Sequence, residues 1–160
     1  MAAVQGAIDE FASAGGIDIL VNNAIIPHSP PVSSQAAPLL EVTEETWEGL
    51  VSVGLKGYFF ACQRAAKHMV EQKRGGCLVC LSSVHAVNPC SDWTVYGSCA
   101  QAGTCRLARR DWPASVAGPC LNSTAVCAGK AALERMVKGL ACDLRGHGIS
   151  ANCIAPGVKP

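Results

Sequence analysis

Apolar residues in this chain follow two patterns, short continuous runs and longer stretches with a spacing of three and four residues. Continuous runs occur at residues 17–21 and 78–81 and are mainly aliphatic. Because they do not alternate with polar residues, they predict strands buried on both faces, as in a parallel sheet. A third strand is predicted at residues 149–154. Strands separated by helical stretches predict an α/β fold with a doubly wound parallel sheet.

Two of the predicted helices lie in the first half of the chain. In residues 2–14, Val4, Ile8 and Phe11 are spaced on one face, and two glycines follow. The second helix is predicted from residue 43 to about residue 72. It begins with a threonine, whose hydroxyl can cap free N–H groups, and two glutamates that suit the positive end of the helix dipole.

The third predicted helix covers residues 130–145, where leucine, methionine and valine recur at helical spacing up to Gly146. The preceding stretch, residues 100–129, has no sustained period and contains prolines and glycines. Irregular stretches of this length are uncommon inside compact α/β domains. We therefore interpret the chain as a single domain over residues 1–160 with an inserted irregular segment at 100–129.

Composition narrows the possible functions. The 160 residues are enough for one core, and with 49% hydrophobic but only 5% aromatic residues that core must be aliphatic. A net charge of +1 gives no electrostatic footprint for nucleic acid or an anionic membrane, so a small molecule or a protein is the expected partner. With no export signal and no long apolar run, we expect a cytoplasmic protein whose ten cysteines are mostly core thiols.

Four motifs resemble those of the short-chain dehydrogenase/reductase family, in the family's order. They are Asn-Asn-Ala at residues 22–24, Ser-Ser at 82–83, Lys-Ala-Ala-Leu at 130–133 and Ala-Pro-Gly-Val at 155–158. The resemblance covers nearly all of the chain outside 100–129. It implies part of a Rossmann-like domain that binds NAD or NADP, without the first βαβ unit and its glycine-rich loop.

The resemblance also implies a catalytic set of Ser83, Tyr96 and Lys130. Ser83 would hold the oxygen of a carbonyl or alcohol substrate, and Tyr96 would exchange its proton. A free phenol has a pKa of about 10, so an ammonium group such as Lys130 is needed to favour the phenolate near neutrality. Cofactor contacts are implied for Asn22, Ala24, Tyr96, Lys130, Pro156, Gly157 and Val158.

The chain departs from the family in the spacing of this catalytic set. Tyr-x-x-x-Lys places both groups on one face of a helix, but Lys130 follows Tyr96 by 34 residues, and Val126 stands four residues before Lys130. Removing residues 100–129 would join Cys99 to Lys130 and restore the spacing. We infer that the segment splits the catalytic helix in its first turn, either as a retained intron or as a genuine insertion.

Further departures concern the cofactor. Gly54 occupies the position of an asparagine that many members use in a water relay, and Ile25 replaces the glycine of their Asn-Asn-Ala-Gly motif. No glycine-rich turn precedes Ile17. Such a turn would receive the pyrophosphate and lead to the residue that separates NAD from NADP, so the choice of cofactor is not readable.

Two functions remain open. The chain is an oxidoreductase of this family, or it is a non-catalytic fragment or isoform that associates with a full-length relative. Association, or formation of a homo-oligomer, is expected through the helices at 44–72 and 130–145. A metal site at Cys77 and Cys80 is disfavoured because residues three apart on a strand face opposite sides, and no metal is expected.

Overall fold

The computed structural model describes residues 2–24, 43–87 and 123–156, and these form a three-stranded parallel sheet with packed helices. The predicted α/β fold class is confirmed. In chain order the elements are α1 (Ala2–Ala14), β1 (Ile19–Asn22), α2 (Glu44–Val51), α3 (Tyr58–Gln72), β2 (Gly76–Leu81), α4 (Ser123–Leu144) and β3 (Ile149–Ile154).

The central strand of the sheet is β2, which pairs in parallel with β1 on one side and with β3 on the other. The ends of β2 and β3 stay paired beyond the strands, since Ser82 N–H donates to the Ile154 carbonyl at 2.7 Å and Val84 N–H donates to the Pro156 carbonyl at 3.0 Å. All three carboxyl ends therefore meet at one edge of the sheet.

Only one face of the sheet is covered by the described helices. Leu78 and Cys80 of β2 are buried there with Met69 of α3 and Leu133 of α4. On the opposite face, Ile19 and Val21 of β1 are 65% and 58% exposed. The prediction that the first strand is buried on both faces is therefore wrong for the described part of the chain, because α3 and α4 pack on the same side.

Helix α1 has the predicted bounds, but fewer of its apolar residues are buried than their spacing predicted. Ile8 is buried, whereas Val4 and Phe11 are 48% and 70% exposed. The helix packs on α3, where the Asp9 carboxylate accepts a hydrogen bond from Arg64 Nη2 at 2.7 Å and lies 2.9 Å from His68 Nε2. An ion pair beside Ile8 thus replaces the apolar stripe that the spacing predicted.

The long helix predicted over residues 43–72 consists of α2 and α3 joined by a π-helical segment, Ser52–Gly57. The wide turn brings the Ser52 carbonyl within 3.2 Å of where a Cβ on Gly57 would stand. Gly54 lies in the same segment, and a Cβ there would meet nothing within 4 Å. The helix ends after Gln72, as predicted.

Helix α4 begins at Ser123, seven residues before the predicted start at Lys130. Alanine favours helix, and a single glycine such as Gly129 destabilises a helix by only about 1 kcal/mol, so this glycine does not stop it. The predicted irregular segment, 100–129, is therefore wrong over residues 123–129, which are helical. Residues 100–122 lie outside the described residues.

Glycines with a positive φ lead the chain into β2 and β3. Gly75 has φ 72° and Gly148 has φ 69°, conformations that favour glycine. A Cβ on Gly75 would collide with the Gly148 carbonyl, so the two turns require this close backbone approach. Helix α4 ends at Leu144, within one residue of the predicted end at residue 145, and is followed by a short 3₁₀ turn, Arg145–His147, that Gly148 caps.

Within the ranges given above, no helix is both long enough and apolar enough to cross a membrane.

Candidate active site

The carboxyl edge of the sheet holds most of the residues singled out from the sequence. In open α/β sheets, ligands bind in the crevice outside the carboxyl ends of the strands. Asn22 ends β1, Ser83 follows β2, Pro156 follows β3, and Lys130 reaches this edge from α4. Tyr96, Gly157 and Val158 lie outside the described residues, so their placement remains a prediction.

Lys130 is anchored at the end of β2. Its Nζ donates a hydrogen bond to the Leu81 carbonyl at 2.8 Å, and the side chain is partly buried. Burial lowers the pKa of Lys130, while the nearby Cys153 and Cys80 thiols oppose the shift. The structure therefore anchors a partly desolvated cationic side chain at Leu81, two residues before Ser83.

Ser83 stands between a buried serine and a 3₁₀ turn, Val84–Ala86. Its carbonyl accepts a hydrogen bond from Ala86 N–H at 3.0 Å, which closes that turn. The preceding Ser82 is 5% exposed, and its Oγ donates to Glu134 Oε1 on α4 at 2.9 Å. The backbone that carries Ser83 is thus fixed on both sides.

Asn22 turns its side chain into the core and not toward the edge. It is 8% exposed, and its Nδ2 donates to Cys62 Sγ at 3.1 Å and to Cys80 Sγ at 3.6 Å. Both contacts are made by the amide nitrogen of Asn22.

Ala24 is exposed, and its backbone is held by Tyr58 of α3. The Tyr58 hydroxyl donates to the Ala24 carbonyl at 2.9 Å from a side chain that is 3% exposed. Burial raises the pKa of Tyr58 to about 12, with nearby Cys80 and Cys153 adding to the shift. Tyr58 is therefore a neutral donor near pH 7, which keeps this hydrogen bond intact.

Several of these contacts were missed by sequence reasoning. Glu134 stands four residues after Lys130, so the two share a helix face, and this spacing is the one signal that could have found it. Ser82 and Tyr58 are joined to partners 52 and 34 residues away, and nothing in the local sequence identifies those partners.

Helix α4 does not itself supply the phenol that the Tyr-x-x-x-Lys motif requires. Val126 lies on α4 one turn before Lys130, and its side chain has no hydroxyl. The predicted pairing of Tyr96 with Lys130 therefore depends on residues outside the described part of the chain.

Among the residues that the structure describes, no group of three or more His, Cys, Asp or Glu side chains could hold a metal ion. Cys80 lies in the core on the helix-covered face of β2, and Cys77, three residues earlier, belongs to the opposite face.

A sequence model described as short chain dehydrogenase matches residues 1–110 of this chain. Galactitol 2-dehydrogenase of Agrobacterium fabrum is 35% identical over 156 residues, which are 98% of this chain and 46% of that protein. The 3-oxoacyl-[acyl-carrier-protein] reductase FabG of Thermotoga maritima is 32% identical over 143 residues, 89% of this chain and 43% of that protein.

Solved structures show the same relationship. A gluconate 5-dehydrogenase from Burkholderia cenocepacia, in complex with NADP and tartrate, matches with a TM-score of 0.67 and 32% identity over 98% of this chain and 47% of its own. Acetoin dehydrogenase from Enterobacter cloacae matches with a TM-score of 0.68 and 29% identity, covering 96% of this chain and 46% of its own. The chain spans about half the length of these relatives.

Proposed function

The chain belongs to the short-chain dehydrogenase family, and from this we propose that it is an NAD(P)-dependent oxidoreductase acting on the carbonyl or alcohol group of a small molecule. The observation that carries the proposal is the Lys130 ammonium at the Leu81 carbonyl, beside Ser83 and at the carboxyl edge of the sheet. We also propose a cytoplasmic location, as the composition predicts.

The residues at this edge fit the nicotinamide and ribose end of such a cofactor. Ala24 and Pro156 are exposed where they follow β1 and β3. The Lys130 side chain provides N–H donors where its hydrogen bond to Leu81 joins α4 to β2. A bound nicotinamide cofactor would supply or accept the hydride. Gly157 and Val158, which follow Pro156, belong to the same proposed contact, as does Asn22 through its position at the end of β1.

The proton chemistry belongs to three side chains of this chain. The Ser83 hydroxyl would donate a hydrogen bond to the substrate oxygen, and Tyr96 would deliver a proton to that oxygen or accept one from it. The Lys130 ammonium would favour the phenolate of Tyr96 and so lower its pKa toward neutrality. Deep burial of Tyr58, with its hydroxyl bound to Ala24, leaves that phenol unsuited to the role.

Point variants at Val126 test the proposal without changing the length of the chain. Val126→Tyr places a phenol one helical turn before Lys130, whereas Val126→Phe adds a ring of nearly the same size without the hydroxyl. Oxidation of NADH and of NADPH is followed with a panel of ketones and keto-sugars. We expect turnover in the original chain that Tyr96→Phe abolishes.

The outcomes separate two functions. Turnover by Val126→Tyr but not by Val126→Phe or the original chain would show that the site lacks only the phenol, and would assign the original chain to the second candidate below. Absence of turnover in all of these variants, with the fold intact by circular dichroism, would refute the oxidoreductase proposal.

The second candidate is a non-catalytic chain that associates through helices at 44–72 and 130–145, with a second copy or with a full-length relative. A groove of about 410 Å³ between these helices favours it, lined by apolar residues that include Leu55, Phe59, Phe60 and Met136. Phe59 is 37% exposed, and Trp47 of α2 is 41% exposed. Apolar area of this kind is typical of interaction surfaces.

Light scattering coupled to size exclusion tests this association. We expect the original chain to form a dimer or tetramer and Phe59→Glu to shift it to the monomer, because a carboxylate in the groove could not be desolvated cheaply. Val4→Glu on α1 is the matched control, since Val4 is also exposed but lies outside the groove. Equal masses for all three proteins would refute the interface.

A further inference from the structure

Two thiols lie in contact beneath the candidate site. Cys62 of α3 and Cys80 of β2 have their sulfur atoms 3.8 Å apart, and the two residues are 0% and 1% exposed. Asn22 donates from one amide nitrogen to both sulfurs, at 3.1 and 3.6 Å. The two cysteines are separated by 18 residues in the chain and belong to different elements, so the fold alone brings them together.

We propose that Cys62 and Cys80 are a site of reversible oxidation, at which hydrogen peroxide converts the two thiols into a disulfide that links α3 to β2. The sulfur atoms must approach from 3.8 Å to about 2.05 Å for the bond to form. The proposal is independent of catalysis, since neither thiol belongs to the proposed proton transfer.

One molecule of hydrogen peroxide oxidises one pair of thiols. The Cys80 thiolate attacks a peroxide oxygen and forms a sulfenic acid, the O–O bond breaks, and the leaving hydroxide takes up the thiol proton to become water. The Cys62 sulfur then attacks the sulfenic sulfur, the S–S bond forms, and the S–O bond breaks with release of a second water. Two thiols are oxidised by two electrons, and one peroxide is reduced to two waters.

The polar surroundings assign the first step to Cys80. The pKa of the Cys80 thiol lies below its ordinary value, chiefly because of its hydrogen bond with Cys62, and the Asn22 amide and the Lys130 charge add to the effect. The same hydrogen bond and burial raise the pKa of Cys62. A thiolate with donors on two sides differs from an inert thiol in an apolar core.

The burial of Cys62 and Cys80 affects both the rate of oxidation and the product that forms. Peroxide is small enough to reach the pair during local opening, while larger alkylating reagents are excluded from it. Once a sulfenic acid forms, Cys62 is already in contact, so the intramolecular step outruns further oxidation. We therefore expect a disulfide and not a sulfinic acid at Cys80.

The test compares native and urea-unfolded chain, each treated with hydrogen peroxide, blocked with N-ethylmaleimide, digested and sequenced by mass spectrometry. In the native chain we expect one dominant bridge, between Cys62 and Cys80, that dithiothreitol removes. In a native sample that receives no peroxide, N-ethylmaleimide should alkylate the exposed Cys142, whereas the buried pair should be protected. In the unfolded chain, bridges should be distributed among the ten cysteines.

Variants give a second, independent readout. The bridge should be lost in Cys62→Ala and in Cys80→Ala but retained in Cys77→Ser, which alters the same strand on its opposite face. Peroxide should raise the melting temperature of the original chain and of Cys77→Ser by several degrees, and should leave the two alanine variants unchanged. The same bridge distribution in native and unfolded chain, or sulfinic acid at Cys80 without a bridge, would overturn the proposal.

Discussion

The hydrogen bond between Ser82 and Glu134 supports a quantitative prediction about the candidate site. Ser82 Oγ donates to Glu134 Oε1 at 2.9 Å and joins the end of β2 to α4, next to Ser83 and Lys130. The perturbations are Ser82→Ala, Glu134→Ala and the double variant. Each single substitution removes the hydrogen bond. The double variant should therefore lose less stability than the sum of the losses in the two single variants.

The magnitude follows from the surroundings of the pair. Hydrogen bonds to charged groups contribute about 1.5–3 kcal/mol to stability. Ser82 is buried, but Glu134 is partly exposed, and water can therefore satisfy its oxygen when Ser82 is absent. We expect the lower limit, a loss of about 1.5 kcal/mol for Ser82→Ala, with a coupling energy of about 1 kcal/mol in the double-mutant cycle.

Urea unfolding followed by circular dichroism provides the assay. With an m value of about 2 kcal/mol/M, a loss of about 1.5 kcal/mol lowers the urea midpoint by roughly 0.7 M. Glu134→Gln keeps a neutral acceptor and should lie between the original chain and Glu134→Ala. Ser150→Ala is the matched control, because the Ser150 hydroxyl is exposed and its contact with the Gly76 carbonyl spans 3.5 Å.

The reasoning would be refuted by additivity. If the double variant lost as much stability as the sum of the single variants, within about 0.3 kcal/mol, the two side chains would not interact. A loss at Ser150→Ala equal to that at Ser82→Ala would also contradict it, because an exposed hydroxyl with a long contact should contribute less than about 0.5 kcal/mol.

Three further predictions concern the fold. Gly75→Ala should lower the free energy of unfolding by about 2 kcal/mol or more in urea titrations, because φ is 72° and the methyl group meets the Gly148 carbonyl; Gly146→Ala, in open space, should change little. Leu133→Ala should lower it by about 3 kcal/mol, since Leu133 is 0% exposed and its loss leaves a cavity. Above pH 10, stability should fall more steeply for the original chain than for Tyr58→Phe. The phenol of the unfolded chain ionises near pH 10, while Tyr58 in the folded chain keeps its proton to a pH of about 12. The contribution of the Tyr58 phenol to stability is therefore complete below pH 10 and is lost between pH 10 and about 12.

The sequence pattern predicted the bounds of an element well where the residues that end it were unambiguous. The third strand was predicted at residues 149–154, and β3 has those bounds. The end of α3 at Gln72 was also predicted, because polar residues and two glycines follow it. The predicted start of α4 was wrong because residues 100–129 were interpreted as one irregular segment, although the alanines before Gly129 and tertiary packing outweigh one glycine.

Long-range contacts explain why the rest could not be predicted. The amide nitrogen of Asn22 contacts Cys62, 40 residues away, and Cys80, 58 residues away. No local pattern specifies such pairs. The exposure of Ile19 and Val21 depends likewise on which helices cover each face of the sheet, and periodicity within one strand does not carry that information.

Titration of the purified chain with NADH and with NADPH, followed by nicotinamide fluorescence, tests the proposed function most directly. The account predicts saturable binding of at least one of them, weakened about tenfold or more in Lys130→Ala, because a partly buried ammonium is lost from the edge of the sheet. Lys138→Ala, exposed on the same helix, should bind as the original chain does. Absence of saturable binding, or equal weakening by both variants, would contradict a nicotinamide site at Lys130.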